Sequence, residues 1–199
     1  MNYPFIPARH YTPAHRGNVR VIVIHTMEEP LANGTARRVA EWFASEQSAI
    51  ASAHFCVGPD EIISCVPVDA VAYGAPGANA DGVHIEHAGY AHFTAAEWST
   101  PLADAMLRRS AVLVADLCEQ FDIPAEHIGS EGITANARGL CGHVDVSRAY
   151  GGTHWDPGSG WCWSKYLDLV RQAMPLSNDD RLAFANAAVL GGMKVDPTT

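Results

Sequence analysis

Val19-Arg20-Val21-Ile22-Val23-Ile24-His25-Thr26 is the stretch on which the fold turns. β-Branched residues follow one another almost without a break, instead of alternating with polar ones. Such a run marks an interior strand covered on both faces. The strand ends at His25, a side chain able to ligate metal or carry a proton. Just downstream, Thr35 to Ala44 sets Val39, Trp42 and Phe43 at i, i+3 and i+4 behind a Thr35 cap, which predicts a short amphipathic helix packed on the sheet. Upstream, residues 1–18 are rich in Pro, His and Arg and read as an irregular arm laid over the domain.

Further along, Ala53 to Val57 and Glu61 to Val66 flank the turn cluster Gly58-Pro59-Asp60, which predicts a hairpin. Gly82 to Ala88 then alternates Val83, Ile85 and His87 against His84 and Glu86, so a strand would send the two sets to opposite faces. Leu102, Met106, Leu113, Leu117 and Phe121 form one apolar stripe behind Pro101 and predict the long helix of the domain. Thr94-Ala-Ala-Glu97 also has the form of a capping box, so the helix could begin there with Pro101 as a kink. From Gly129 to Gly160 the chain is glycine-rich with little periodicity, the kind of long irregular stretch that tends to carry function. A last core helix sets Trp163, Tyr166, Leu167 and Val170 together and stops at Pro175. The order of elements predicts an α/β fold, a central mixed β-sheet flanked by helices. Residues 1–175 form one domain, and residues 176–199 a linker or helical tail with a helix over Asp179 to Leu190.

Composition narrows the function. The chain has 199 residues, 48% of them hydrophobic, and at that size folding buries roughly 70% of the unfolded chain's surface. No disulfide or metal is needed simply to hold it together. A net charge of −9, with no basic run, disfavours a protein that tracks nucleic-acid phosphates. The 5 cysteines are an odd number at irregular spacing without a C-x-x-C pair, against a disulfide framework or a four-thiolate zinc site. The N-terminus lacks the apolar core of a signal peptide, and no apolar run reaches the roughly 18 residues of a membrane span. The expectation is a chain made in the cytoplasm, with no membrane partner. Its one excess is 10 histidines.

Three of the candidate ligands are far apart in sequence: His25 at the strand end, His143 in Cys-Gly-His-Val-Asp, and Asp156 in His-Trp-Asp-Pro-Gly. Two imidazoles and a carboxylate with a fourth position open have the composition of a catalytic zinc site. The same residues could equally end a strand and make loop hydrogen bonds, and spacing alone leaves both readings open.

Val-Ile-Val-Ile-His25-Thr, Ser52-Ala-His54-Phe55-Cys-Val-Gly, Val-His-Ile-Glu86-His-Ala-Gly89, Gly142-His143 and Asp156-Pro-Gly158 occur in the order of the N-acetylmuramoyl-L-alanine amidase type 2 family. The chain resembles that family over about residues 18–173, and the family shares its fold with the peptidoglycan recognition proteins. The resemblance implies Zn2+ held by His25, His143 and Asp156, with Glu86 as general base. Where one branch of the family has a tyrosine before His-Phe, this chain has Ala53, which leaves the proton transfer to Glu86. Where the family often has a lysine two residues before its last ligand, this chain has His154, the implied stabiliser of the oxyanion. The implied activity is hydrolysis of the amide between N-acetylmuramic acid and L-alanine in bacterial peptidoglycan. The absence of a signal peptide resembles a phage endolysin, acting as a monomer at the cell wall during host lysis. Two alternatives remain: a module of the same fold that binds peptidoglycan without cutting it, and a zinc peptidase cutting another stem-peptide amide.

Other residues compete for a role. His54, Cys65 and Cys56 could offer soft ligands across the hairpin, although small cysteines are common in cores. His84 and His87 flank Glu86 on opposite faces; either could touch substrate, but core positions or support of a ligand suit them better. Asp145 could orient a ligand imidazole. His10, His15, His92 and His127 read as surface residues. Trp155, Trp161 and Trp163 could stack on sugar, with Trp163 also fitting the core stripe.

Overall fold

The run Val21 to Thr26 is the central strand, and every residue in it is buried. The computed structural model describes residues 3–13 and 17–190. In chain order its elements are β1 (Tyr11–Thr12), β2 (Val21–Thr26), α1 (Thr35–Ala44), β3 (Phe55–Val57), β4 (Ile62–Ser64), β5 (Val71–Ala72), β6 (Gly82–His87), α2 (Pro101–Phe121), α3 (Gly129–Thr134), β7 (Gly139–Gly142), α4 (His143–Tyr150), α5 (Trp163–Ala173) and α6 (Asn178–Leu190), with a 3-10 turn at Glu97–Ser99. Strand order in the main sheet is β4-β3-β6-β2-β7, and β1 pairs with β5 separately. β3, β6, β2 and β7 run parallel, and β4 alone is antiparallel, paired with β3 across the expected hairpin. This is the mixed sheet flanked by helices that the sequence predicts.

Alternation along β2 divides the core in two. Ile22 and Ile24 face the cluster built on α2 and α5 with Val83, Ile85, Met106, Leu113 and Tyr166. Val21 and Val23 face a smaller cluster with Ala75, Ala78, Ile133, Cys141 and Val146. A residue buried on either side of the sheet needs no polar face, which is why the strand reads as a continuous apolar run.

Two local expectations are corrected, and the start of α2 is decided between its two readings. α1 is preceded by Gly34 at φ 77, not capped by Thr35, whose hydroxyl instead donates to the Pro30 carbonyl at 2.8 Å. α2 begins at Pro101 with Thr100 as its cap, so Pro101 is a first-turn proline and not a kink. The Thr94–Glu97 box is present as a separate turn, with the Thr94 N–H donating to Glu97 at 2.7 Å. The stretch from Gly129 to Gly160 is not irregular throughout: it holds α3, β7 and α4, each too short for a period to show in sequence.

α6 lies against α2, anchored by buried Arg181, which pairs with Asp116 and Glu119 and donates to the carbonyls of Ala173 and Met174. His15 and the tail from Met193 to Thr199 lie outside the described residues. Among the described residues no helix is long and apolar enough to cross a membrane.

Candidate metal centre

Parallel pairing brings the site residues to one end of the sheet. His25 is in register with Glu86 on β6, and Ile24 with Gly142 on β7, so His143 follows one residue later as the first residue of α4. Carboxyl ends of parallel strands are where open α/β sheets build their sites. Asp156 arrives from the loop between α4 and α5, and its carbonyl accepts from the Val144 N–H at 2.9 Å, which ties the loop to the start of α4. That loop also presses on the turn Ala91 to Phe93: a Cβ on Gly158, at φ +85, would stand 1.7 Å from the Ala91 carbonyl oxygen.

His25 Nδ1 lies 3.2 Å from one Asp156 oxygen and His143 Nδ1 lies 3.3 Å from the other. One donor atom from each of His25, His143 and Asp156 falls within 4.8 Å of the others, and all three residues are buried. Among the described residues no other cluster of this kind occurs. Burial pushes the Asp156 carboxyl up, but hydrogen bonds from His143 and His25 outweigh it and hold the group well below the usual carboxylate range. Burial pushes the His25 imidazole down, so the ring favours its neutral, ligating form, against the pull of Asp156. Two imidazoles and an ionised carboxylate converging on one point form a donor set that suits zinc.

Glu86 stands beside this point. Burial, then the negative charges of Asp156 and Glu28, push its carboxyl well above the ordinary range. Its Oε2 is buried and has no hydrogen-bond partner among the described residues. A buried carboxyl kept in that state at a cleft wall is a candidate functional group. His154 is 62% exposed at the mouth, stacked on His143 with ring centroids 3.9 Å apart, and its Nδ1 lies 3.6 Å from Asp156. A cleft of about 650 Å³ joins His25, Glu86, His143, His154 and Asp156.

The structure places the remaining candidates as follows. Cys56 and Cys65 are buried in the core with sulfurs 3.8 Å apart, and His54 donates to the Ala70 carbonyl, so none of the three joins a metal cluster. Asp145 accepts from His127 and from the Gly142 N–H, both at 2.8 Å, capping α4 instead of orienting a ligand. His127 is not idle at the surface: its ring stacks on Trp163 at 4.1 Å. Trp161 is buried, and only Trp155 of the three tryptophans borders the cleft. Opposite the expectation for α1, Trp42 is 43% exposed and borders the same cleft while Phe43 fills the core. Glu28, also at the cleft, adopts φ 53 and accepts from the Thr26 hydroxyl at 2.7 Å and the Ala91 N–H at 2.8 Å. Nothing in its local sequence signals this; the positive φ is an acquired loop conformation.

At the carboxyl edge of a largely parallel mixed sheet, two histidines and a loop aspartate form a group that could hold a metal ion, with a buried glutamate alongside. The family model for N-acetylmuramoyl-L-alanine amidase matches residues 15–159, and the chain belongs to that family. Among solved structures it is similar to the hydrolase AmiA of Staphylococcus aureus in complex with its ligand, with TM-score 0.67 and 17% identity over 87% of this chain and 83% of that one. The N-acetylmuramoyl-L-alanine amidase LysC of Clostridium intestinale gives TM-score 0.58 and 22% identity over 86% of this chain and 98% of that one. The endolysin amidase LysCS of the same organism gives TM-score 0.57 and 20% identity over 85% and 95%. At these identities the likeness speaks for the fold. No curated protein sequence matches the chain.

Proposed function

We propose that this chain is a zinc-dependent N-acetylmuramoyl-L-alanine amidase that cuts the amide between the lactyl group of N-acetylmuramic acid and L-alanine in peptidoglycan. The observation that carries the reading is the convergence of His25, His143 and Asp156 beside a buried Glu86 carboxyl oxygen with no hydrogen-bond partner among the described residues. Zinc in this centre would supply Lewis acidity towards the scissile carbonyl and an attacking water.

The chain's own residues do the rest. Glu86 takes the proton of the attacking water and returns it to the leaving amine, a positioned transfer worth about 10²–10⁴-fold. His154, at the cleft mouth, donates a hydrogen bond to the oxyanion of the tetrahedral intermediate. Asp156 balances the charge of the ion, and burial of His25 keeps that imidazole available as a ligand. Residues 1–175 are the catalytic domain in this reading, and residues 176–199 a tail whose helix rests on α2. In this reading the chain acts at the cell wall as a monomer, as a phage endolysin in host lysis; a solved structure of the same fold is named an endolysin.

The test is digestion of purified peptidoglycan with and without chelator, followed by mass measurement of the fragments. Free lactyl carboxyl groups paired with new L-alanine amino termini, lost on chelation and restored by zinc, are expected. Wall that is bound but uncut would make the chain a recognition module. Cleavage at another stem amide would make it a peptidase.

A further inference from the structure

His25 turns one ring nitrogen towards Asp156 and the other away from it. The second nitrogen, Nε2, lies 3.1 Å from Nδ1 of His84, and both rings are buried. His84 is two residues before Glu86 on β6, on the same face of the sheet, in register with Val23. Its ring is held from several sides. The His84 backbone N–H donates to Nδ1 of His54 at 2.9 Å, and the two rings stack 5.8 Å apart at 12°. On another side the chain is stripped to glycine: a Cβ on Gly74 would stand 2.6 Å from both Cγ and Nδ1 of the His84 ring. Space has therefore been left for this imidazole, and one of the two ring atoms nearest the gap is the one that meets His25.

We propose that His84 is a positioning residue for the metal centre, accepting the Nε2 proton of His25 and so holding that ring in the tautomer and angle that present Nδ1 to the ion. The inference rests on the zinc reading of the centre. A histidine that gives Nδ1 to a metal keeps its proton on Nε2, and a fixed acceptor there both selects that tautomer and raises the basicity of the ligand. Carboxylates and backbone carbonyls are the usual acceptors in this place; here a second imidazole does it. His87, from the opposite face of the same strand, donates its Nδ1–H to the backbone carbonyl of His25 at 3.1 Å. β6 thus fastens His25 at ring and backbone alike.

The test measures zinc dissociation constants of the full chain by chelator competition, together with melting temperatures with and without zinc. His84→Leu removes the acceptor at similar volume, and its affinity is expected to fall by about 10- to 100-fold. His84→Asn keeps an oxygen acceptor near the Nδ1 position and should hold zinc more tightly than His84→Leu. Gly74→Ala touches neither histidine's chemistry but displaces the His84 ring, and should also weaken zinc binding. A tenfold loss removes about 1.4 kcal/mol of zinc-dependent stabilisation, so the rise in melting temperature on adding zinc should shrink in His84→Leu and Gly74→Ala. Parental affinity in a folded His84→Leu chain, or in Gly74→Ala if the former does not fold, would overturn the proposal. So would equal losses of stability with and without zinc, the mark of a purely structural role. A parent chain that binds no zinc would instead strike the reading of the centre itself.

Discussion

Glu86 carries the sharpest consequence at the scale of a single residue. Glu86→Gln keeps the shape of the side chain and removes its proton transfer, so turnover on peptidoglycan should fall by about 10²–10⁴-fold while zinc content stays at the parental level. Parental turnover in a fully loaded variant would remove Glu86 from the mechanism. His154→Ala deletes a single donor from the rim and should lower kcat by about 10²–10³-fold, the usual cost of one oxyanion donor, with zinc retained. A change confined to KM would make His154 a substrate contact only. His87 governs a different quantity. Burial, against its hydrogen bond to His25, pushes its pKa down to about 3, and Ser110 bonds its other nitrogen at 2.6 Å. A histidine whose folded pKa lies below its unfolded value of about 6.5 leaves the folded state with fewer protons. Stability is therefore full above about pH 6.5 and falls as pH drops towards 3, by about 1.4 kcal/mol per unit for this group. Denaturant unfolding across that range should show a shallower fall in His87→Gln. An unchanged slope would show that His87 does not titrate in this way.

Among the elements, the loop from Asp156 to Gly160 is the one whose fit decides the site. Gly158 has φ +85 and no room for a side chain against Ala91. Gly158→Ala must strain the backbone and lift the loop that carries Asp156, so about 2 kcal/mol or more of stability should be lost. Zinc affinity should fall with it in titrations of the variant. A variant with parental stability and affinity would mean the loop tolerates displacement. This scale also separates what was legible in the sequence from what was not. β2 was readable because burial on both faces leaves no polar residue to break the run, and α2 because a 21-residue helix repeats its stripe several times. α3 and α4 are 6 and 8 residues long, and neither offers enough turns for a period. Trp42 was misplaced because one helical stripe can serve two neighbours: α1 buries Phe43 while the adjacent ring borders the cleft.

Across the whole molecule, the centre exists because β6, β2 and β7 are adjacent and parallel. Their carboxyl ends deliver Glu86, His25 and His143 side by side, although the three are scattered through the chain. Motif order pointed to those residues; adjacency of the strands is what spacing along a chain cannot express. The partners of the imidazoles were hidden for the same reason, since His84 meets His25 only through strand pairing, and Asp145 meets His127 across the start of α4. The measurement that bears most directly on the account is anomalous X-ray scattering at the zinc edge from crystals of the chain grown with zinc. The account predicts one strong peak about 2.0–2.2 Å from His25 Nδ1, His143 Nδ1 and an Asp156 oxygen, and loss of that peak in Asp156→Ala. A peak held by other residues, or none at these three, would contradict it.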